Sequence, residues 1–316
     1  MPLHPALQQM CDAAAQAMAA AADAGGPAPT PDERLAVIRT SAAAFGALGG
    51  GTPEPLHSVE DHLADGPHGP VPVRVYRPTG GVGAPLVCYF HGGGFVSGSV
   101  DAWDGICRRI AKESGAVVVS VDYRLAPEHR FPVPLDDCHA ALTWAVAHAD
   151  GLGADGSRAA VAGDSAGGNL AAAVALRARI EGPVLRAQVL VYPVVSPACA
   201  SPSMAENAEG YLLTAGSMRE MWAWYLGPDG DPNDAFVAVD RAADYAGLPP
   251  ALVLTAEYDP LRDEGEQYAS LLDGFDVDTT VVRYDGMLHG FLGMREIVPE
   301  SNAAIATIAE FLRRHL

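Results

Sequence analysis

The residue best suited to covalent chemistry is Ser165, in the sequence Gly163-Asp164-Ser165-Ala166-Gly167. The motif joins an apolar stretch to an alanine-rich one, which predicts a sharp turn between a strand and a helix. Glycines two positions before and after the serine permit the close backbone approach that such a turn requires. The turn would aim the first N–H groups of the helix at the serine, where negative charge develops during acyl transfer. The motif alone is a weak signal, because ordinary turns also contain glycine and serine.

A second glycine-rich segment, His91-Gly92-Gly93-Gly94-Phe95, directly follows the apolar stretch 85–90. Its backbone can point N–H groups at a developing oxyanion, and we expect Gly93 and Gly94 to do so together with Ala166. The alternative is a flexible turn or a phosphate-binding loop. The segment lacks the Lys-Ser/Thr of a P-loop and the G-x-G-x-x-G spacing of a dinucleotide site, so we favour the oxyanion hole.

A serine hydroxyl needs a general base, and His289 is the histidine best placed to supply it. His289 follows the last predicted strand and precedes the final predicted helix. Of the other histidines late in the chain or near the motif, His129, His139 and His148 precede the serine and His315 lies at the chain end. We therefore assign the base to His289.

An acid that orients the base is expected between the serine and the histidine. Asp259 lies just past the predicted strand 251–256. Asp263 and Glu264 instead fall in the first turn of the next predicted helix, where acids are also favoured by the helix dipole. We assign the acid to Asp259, with Glu257 in reserve. Pro260 would then be the first helical residue, and Asp259 could also cap that helix.

Short apolar runs bounded by Gly and Pro alternate with helical segments, which predicts an α/β fold with a mostly parallel sheet. The predicted strands are 56–63, 71–77, 85–90, 116–123, 157–163, 186–192, 251–256 and 279–284. The predicted helices of this body are 101–114, 135–148, 166–180, 261–273 and 299–314. No internal repeat or low-complexity linker divides the chain, so we expect residues 1–316 to form one catalytic domain.

Two further helices are predicted ahead of this body, from Pro5 to about residue 22 and from Pro31 to about residue 48, with a break at Gly25-Gly26-Pro27. Thr30 and Glu33 have the spacing of a capping box at the start of the second helix. The apolar face of that helix is made by Leu35, Ile38, Ala42 and Phe45. Because this face must be covered, the two helices form either a cap over a site or an ordinary packing pair.

The charge balance disfavours polyanionic partners. The net charge is −19 and Lys112 is the single lysine, so we expect neither nucleic acid nor a membrane surface as a partner. No apolar run approaches the roughly 20 residues that span a bilayer. A secretory signal requires basic residues near its start, but no Lys or Arg precedes Arg34, so we expect a cytoplasmic protein. The five cysteines are widely spaced, which predicts buried single thiols rather than a disulfide framework or a metal site.

Together these residues resemble the hormone-sensitive lipase family of α/β-hydrolases, also called the bacterial family IV esterases. The resemblance rests on HGGGF at 91–95, DYRLAPEHRFP at 122–132, LDD at 135–137, GDSAGGNLA at 163–171, ENAEGYLLT at 206–214, DPLRDEG at 259–265 and HGF at 289–291. It implies an α/β-hydrolase fold, with a mostly parallel eight-stranded sheet flanked by helices. It also implies that Ser165, Asp259 and His289 are the catalytic triad and that Gly93, Gly94 and Ala166 form the oxyanion hole.

The resemblance further implies a helical cap, formed by about 1–50 and about 196–226. We expect the substrate to be contacted by apolar residues in and near this cap, namely Phe95, Tyr211, Leu212, Trp222 and Phe291. Asp164 beside the serine marks the Asp-containing subgroup of the family. Two positions depart from the family pattern, Arg130 and Glu257. The carboxylate of Glu257 would either perturb the titration of the triad acid or simply face solvent.

By this resemblance the protein is a carboxylesterase that hydrolyses short- to medium-chain esters through an acyl-enzyme, with no cofactor and no metal. The alternatives are an amide or N-acetyl deacylase of the same fold and, in a different class, a noncatalytic hydrolase-like ligand receptor. Such receptors lack the triad histidine, whereas His289 is present here. The expected partner is a small-molecule ester, and the same resemblance is compatible with a homodimer.

Overall fold

The structure, a computed structural model, describes residues 1–23, 28–48 and 53–316. In this part of the chain a single sheet contains eight strands: β1 (Ser58–Ala64), β2 (Val71–Arg77), β3 (Ala84–Phe90), β4 (Val117–Val121), β5 (Ala154–Asp164), β6 (Ala187–Val191), β7 (Ala251–Tyr258) and β8 (Thr279–Leu288). Their order in the sheet is β1-β2-β4-β3-β5-β6-β7-β8. The pairs β1–β2 and β2–β4 are antiparallel and all the other pairs are parallel. The predicted α/β-hydrolase fold is confirmed.

Both faces of the sheet are covered by helices. The helices are α1 (Pro5–Asp23), α2 (Pro31–Leu48), α3 (Asp104–Ser114), α4 (Val133–Ala147), α5 (Ala166–Glu181), α6 (Pro202–Glu206), α7 (Ala215–Leu226), α8 (Arg262–Asp273) and α9 (Glu300–His315). In β4, Val117 and Val119 pack with the hydrophobic cluster that contains residues of α4, α5 and α8, while Val118 packs with the cluster that contains residues of α3 and α9. This explains why β4 is valine at every position except Ser120.

The amino-terminal helices lie close to the predicted bounds, and the capping box at the start of α2 is present. Thr30 N–H donates to Glu33 Oε2 over 2.7 Å, and Glu33 N–H donates to Thr30 Oγ1 over 3.3 Å. Leu35 on the predicted apolar face is buried. The break predicted at Gly25-Gly26-Pro27 and the side chain of Phe45 lie outside the described residues.

The α2 helix contacts the second segment that was predicted to belong to the cap. Arg34 on α2 forms an ion pair with Glu220 on α7, with its Nε 2.8 Å from the carboxylate. Arg39, further along α2, donates from Nε to the carbonyl of Val96 over 2.9 Å. The first contact joins α2 to α7, and the second joins α2 to the loop that follows β3.

The five cysteines are buried and unpaired, as their spacing predicted. None of the helices among the described residues combines the length and the hydropathy needed to cross a membrane.

Candidate active site

Three of the predicted site residues follow the carboxyl ends of three parallel strands. Ser165 follows β5, Asp259 follows β7 and His289 follows β8. Because neighbouring parallel strands end at the same edge of the sheet, the three side chains converge. The strand β8 was predicted to end at residue 284 but continues to Leu288, so His289 directly follows the strand end.

The three side chains form an unbroken chain of hydrogen bonds. His289 Nε2 lies 2.9 Å from Ser165 Oγ, and His289 Nδ1 lies 2.7 Å from Asp259 Oδ2. Asp259 is fully buried and Ser165 is 7% exposed. A carboxylate can only accept, so Nδ1 carries the hydrogen and the lone pair on Nε2 accepts the serine hydroxyl. In this arrangement the imidazole can remove the hydroxyl proton, which is the chemistry of general-base activation.

The turn that carries Ser165 is as tight as its sequence predicted. Ser165 has φ +55° and ψ −121°, a conformation that L-residues rarely adopt. A Cβ atom on Gly163 would lie 2.1 Å from the carbonyl oxygen of Gly167, and one on Gly167 would lie 1.9 Å from that of Phe90. The turn is also held from β6, because Ser165 N–H donates to Val191 over 2.9 Å. Only glycine fits at 163 and 167 without moving backbone.

The predicted oxyanion-hole residues lie beside this turn. Gly93 and Gly94 have φ +113° and +62°, and the Gly93 carbonyl accepts N–H groups of Val96 and Ser97. Ala166 is the first residue of α5, where N–H groups have no partner inside the helix. Among the described residues, none accepts a hydrogen bond from the N–H groups of Gly93, Gly94 or Ala166.

Known proteins are similar to this chain in sequence and in fold. The sequence profile of a family described as having the alpha/beta hydrolase fold matches residues 87–293. This chain belongs to that α/β-hydrolase family. The esterase LipI of Mycobacterium tuberculosis is 44% identical over 259 residues, which are 79% of this chain and 81% of LipI. The ethyl acetate hydrolase of Pseudomonas putida is 38% identical over 252 residues, 78% of this chain and 79% of that enzyme. The solved structure of a hyperthermophilic esterase from Pyrobaculum calidifontis has a TM-score of 0.89 at 42% identity and covers 99% of both chains.

In this hydrolase an apolar cavity of about 380 Å³ opens above Ser165. Residues of α1, α2 and α7 contribute to its walls, and so do Gly93, Gly94 and His289. Four of the wall residues are methionines: Met10, Met218, Met221 and Met294. Met218 and Met221 lie on α7, whereas Met10 and Met294 are far from them in sequence.

Of the five residues that we expected to contact substrate, Leu212 lies on the cavity wall and is 42% exposed. Phe95 and Trp222 do not line the cavity. Phe95 is fully buried and stacks on Tyr225 with 4.0 Å between ring centroids, and Trp222 packs against Phe95 at 5.1 Å. Both rings fill the space between the glycine loop and α7 rather than the cavity.

Tyr211 and Phe291 also lie outside the cavity lining. The Tyr211 ring packs on Tyr258, 5.1 Å away. Phe291 is fully buried between Tyr192 and Tyr284. Aromatic residues serve cores and pockets alike, so the sequence could not distinguish the two environments.

The two oxygen atoms of Asp259 have different partners. Oδ2 contacts His289, while Oδ1 accepts the N–H of Leu261 over 2.8 Å. The α8 helix begins only at Arg262, and Leu261 occupies the cap position. The prediction that Pro260 is the first helical residue was therefore wrong, because the Asp259 side chain forms a separate turn ahead of the helix.

Neither Glu257 nor Glu264 contacts the base. Glu257 binds the Met1 ammonium group at 2.9 Å and the N–H of Gly286 at 2.7 Å. Glu264 is buried and accepts the N–H of Val195 over 2.7 Å, and its burial raises its pKa to about 8.

Among the described residues there is no group of three or more His, Cys, Asp or Glu side chains placed to bind a metal ion.

Proposed function

We propose that this hydrolase cleaves carboxylic esters with short to medium acyl chains, using Ser165 as nucleophile, His289 as general base and Asp259 as the acid that orients it. The observation that carries the proposal is the continuous contact from Asp259 to His289 to Ser165, with distances of 2.7 and 2.9 Å, on the floor of an apolar cavity. Relatives at about two-fifths identity are esterases by name, and the chain is accordingly a serine carboxylic-ester hydrolase.

The proposed reaction has two halves. Ser165 Oγ attacks the ester carbonyl carbon while its proton passes to His289 Nε2, and the carbonyl oxygen becomes an oxyanion bound by the N–H groups of Gly93, Gly94 and Ala166. The C–O bond to the alcohol breaks, and His289 gives its proton to the departing alcohol. His289 then removes a proton from water, and the water oxygen attacks the acyl carbon. The bond from that carbon to Ser165 Oγ breaks, and His289 returns the proton to Oγ, which releases the acid and free Ser165.

The size and lining of the cavity support the substrate class. Its walls are mainly aliphatic and thioether groups, which favour an apolar acyl or alcohol group over a charged one. A cavity of about 380 Å³ encloses a small ester better than a long lipid chain. A relative named ethyl acetate hydrolase agrees with a short acyl chain. A preference for long-chain over short-chain p-nitrophenyl esters would contradict this part of the proposal.

We also propose that α1 and α2, together with α6 and α7, are a cap, and that the hydrolase falls in the hormone-sensitive lipase group of the family. The support is that both segments contribute to the cavity wall, through Met10, Ile38 and Met221 among others, and that Arg34 joins them through Glu220. The motifs around Ser165 and at 91–95 also match that group.

The test of the reaction is Ser165→Ala. We expect kcat for p-nitrophenyl butyrate to fall by about 10⁴-fold or more, because the variant has no nucleophile. The melting temperature should stay close to that of the wild type, since the hydroxyl contributes one hydrogen bond. Ser270→Ala, at an exposed serine on α8, is the matched control and should keep full activity. Wild-type turnover by Ser165→Ala would refute the proposed nucleophile.

A further inference from the structure

The residue before the nucleophile, Asp164, is a buried carboxylate that the proposed reaction does not use. It is 3% exposed. Its Oδ1 atom accepts three hydrogen bonds, from Tyr89 Oη at 2.8 Å, from Trp103 Nε1 at 2.8 Å and from the backbone N–H of Gly92 at 3.1 Å. Burial raises the pKa of Asp164 to about 6, against the lowering effect of these donors.

The three donors come from separate parts of the chain. Tyr89 belongs to β3, Gly92 to the glycine loop and Trp103 to the residue that precedes α3. Asp164 itself is the last residue of β5. One oxygen atom therefore connects the end of the strand that carries the nucleophile with the loop that carries the oxyanion-hole donors.

The glycine loop also packs directly on this carboxylate. A Cβ atom on Gly92 would lie 2.6 Å from Asp164 Oδ2. The next two residues, Gly93 and Gly94, have positive φ angles and no side chains that could fix their orientation. The hydrogen bond from Gly92 N–H to Asp164 Oδ1 therefore holds the loop at the residue just before the two proposed donors.

We propose that Asp164 is a positioning residue, which holds the N–H groups of Gly93 and Gly94 at the distance from Ser165 that an oxyanion requires. The inference rests on the proposed function. Donors act only when they lie about 2.7–3.1 Å from the oxyanion, so a small displacement of the loop weakens them. An ionised oxygen can accept three hydrogen bonds and makes them stronger than a neutral one does.

The test is Asp164→Asn, which keeps the shape of the side chain and removes its charge. We expect kcat for p-nitrophenyl butyrate to fall about tenfold or more with KM little changed, because oxyanion contacts form mainly in the transition state. Binding of a trifluoromethyl ketone gives a second readout. Ser165 Oγ adds to its carbonyl carbon, the serine proton passes to His289, and the carbonyl oxygen becomes the oxyanion.

The affinity for the ketone should fall in parallel with kcat, again about tenfold or more. The affinity for the corresponding trifluoromethyl alcohol, which cannot form the adduct, should not change. Loss of affinity for the alcohol as well, or unchanged ketone affinity, would overturn the positioning role. A wild-type enzyme that hydrolyses no ester would instead overturn the proposed function, so the two failures are distinguishable.

Asp137→Asn is the matched control, since Asp137 is another buried carboxylate that accepts a backbone N–H, from Arg124 at 3.0 Å. It lies on α4, outside the cavity lining, so the variant should lower the melting temperature and leave kcat and ketone affinity within about twofold. If Asp164→Asn does not fold, Tyr89→Phe takes its place, because it removes one donor from the same oxygen. Its ketone affinity should fall about threefold, and an unchanged affinity would overturn the inference.

Discussion

The buried side chain of Glu264 makes stability depend on pH. Its pKa is raised to about 8 in the folded chain from an ordinary value of 4.5, chiefly because burial disfavours the charge. Between these two pH values the folded chain keeps a proton that the unfolded chain releases. The contribution of Glu264 to stability is therefore largest below pH 4.5 and is lost as the pH rises toward about 8.

Replacing this carboxyl by a neutral group should remove that dependence. Each pH unit within the window changes the free energy of unfolding by at most about 1.4 kcal/mol. We expect the melting temperature of Glu264→Gln, measured relative to the wild type, to rise steadily from pH 5 to pH 8. Glu310→Gln, at an exposed position on α9, should show a constant difference. A flat difference for Glu264→Gln would show that this carboxyl does not titrate in the window.

At the level of residues, the sequence was informative where a chemical role coincides with a strand end. Ser165, Asp259 and His289 were selected by residue type and by the element that each one follows, and the structure brings them within hydrogen-bonding distance. The cavity wall could not be read in this way. Phe95 packs against α7 and Leu212 lines the cavity because of how distant helices pack. The type of a residue does not predict that packing.

The strand–turn–helix unit around Ser165 depends on glycines that have no room for a side chain. We expect Gly167→Ala to lower kcat/KM for p-nitrophenyl butyrate by about 100-fold and to destabilise the fold by about 1–3 kcal/mol, because its Cβ would meet the Phe90 carbonyl oxygen at 1.9 Å. The backbone must shift there, and Ser165 moves with it.

Gly105→Ala is the matched control for this prediction. It lies in α3, and a Cβ atom there meets nothing within 4 Å. Alanine should stabilise this helix position by about 0.5–1 kcal/mol without affecting turnover. We would measure both the kinetics and the thermal melts of the two variants. Equal kinetics for Gly167→Ala and Gly105→Ala would mean that the turn tolerates a side chain.

At the level of elements, the eight strands and the helices of the body were predictable because their apolar periodicity and Gly/Pro boundaries are local signals. Their ends were less so. The strand β8 extends to Leu288 through its pairing with β7, where Tyr258 lies opposite Leu288. The start of α8 is delayed because Asp259 binds the N–H of Leu261. Both boundaries are set by contacts with other elements or by the site itself.

At the scale of the whole molecule, the order of strands places the site near the middle of the sheet. The strand β5 lies between β3 and β6, so the nucleophile turn has the glycine loop on one side and Val191 on the other. The sequence predicted a mostly parallel sheet, and the family resemblance implied that the segments containing α2 and α7 form one cap, but apolar periodicity did not predict their contact. That contact joins Arg34 to Glu220 across 186 residues, and such a distance leaves no periodic signal.

Covalent labelling of the intact protein shows whether Ser165 is the nucleophile of one assembled site. We would treat the protein with a fluorophosphonate, measure the intact mass and locate the adduct by peptide mass spectrometry. We expect a single phosphonate on Ser165, and a loss of labelling in His289→Ala, which lacks the base that activates the hydroxyl. An adduct on a different residue, or no adduct on the wild-type protein, would contradict this expectation.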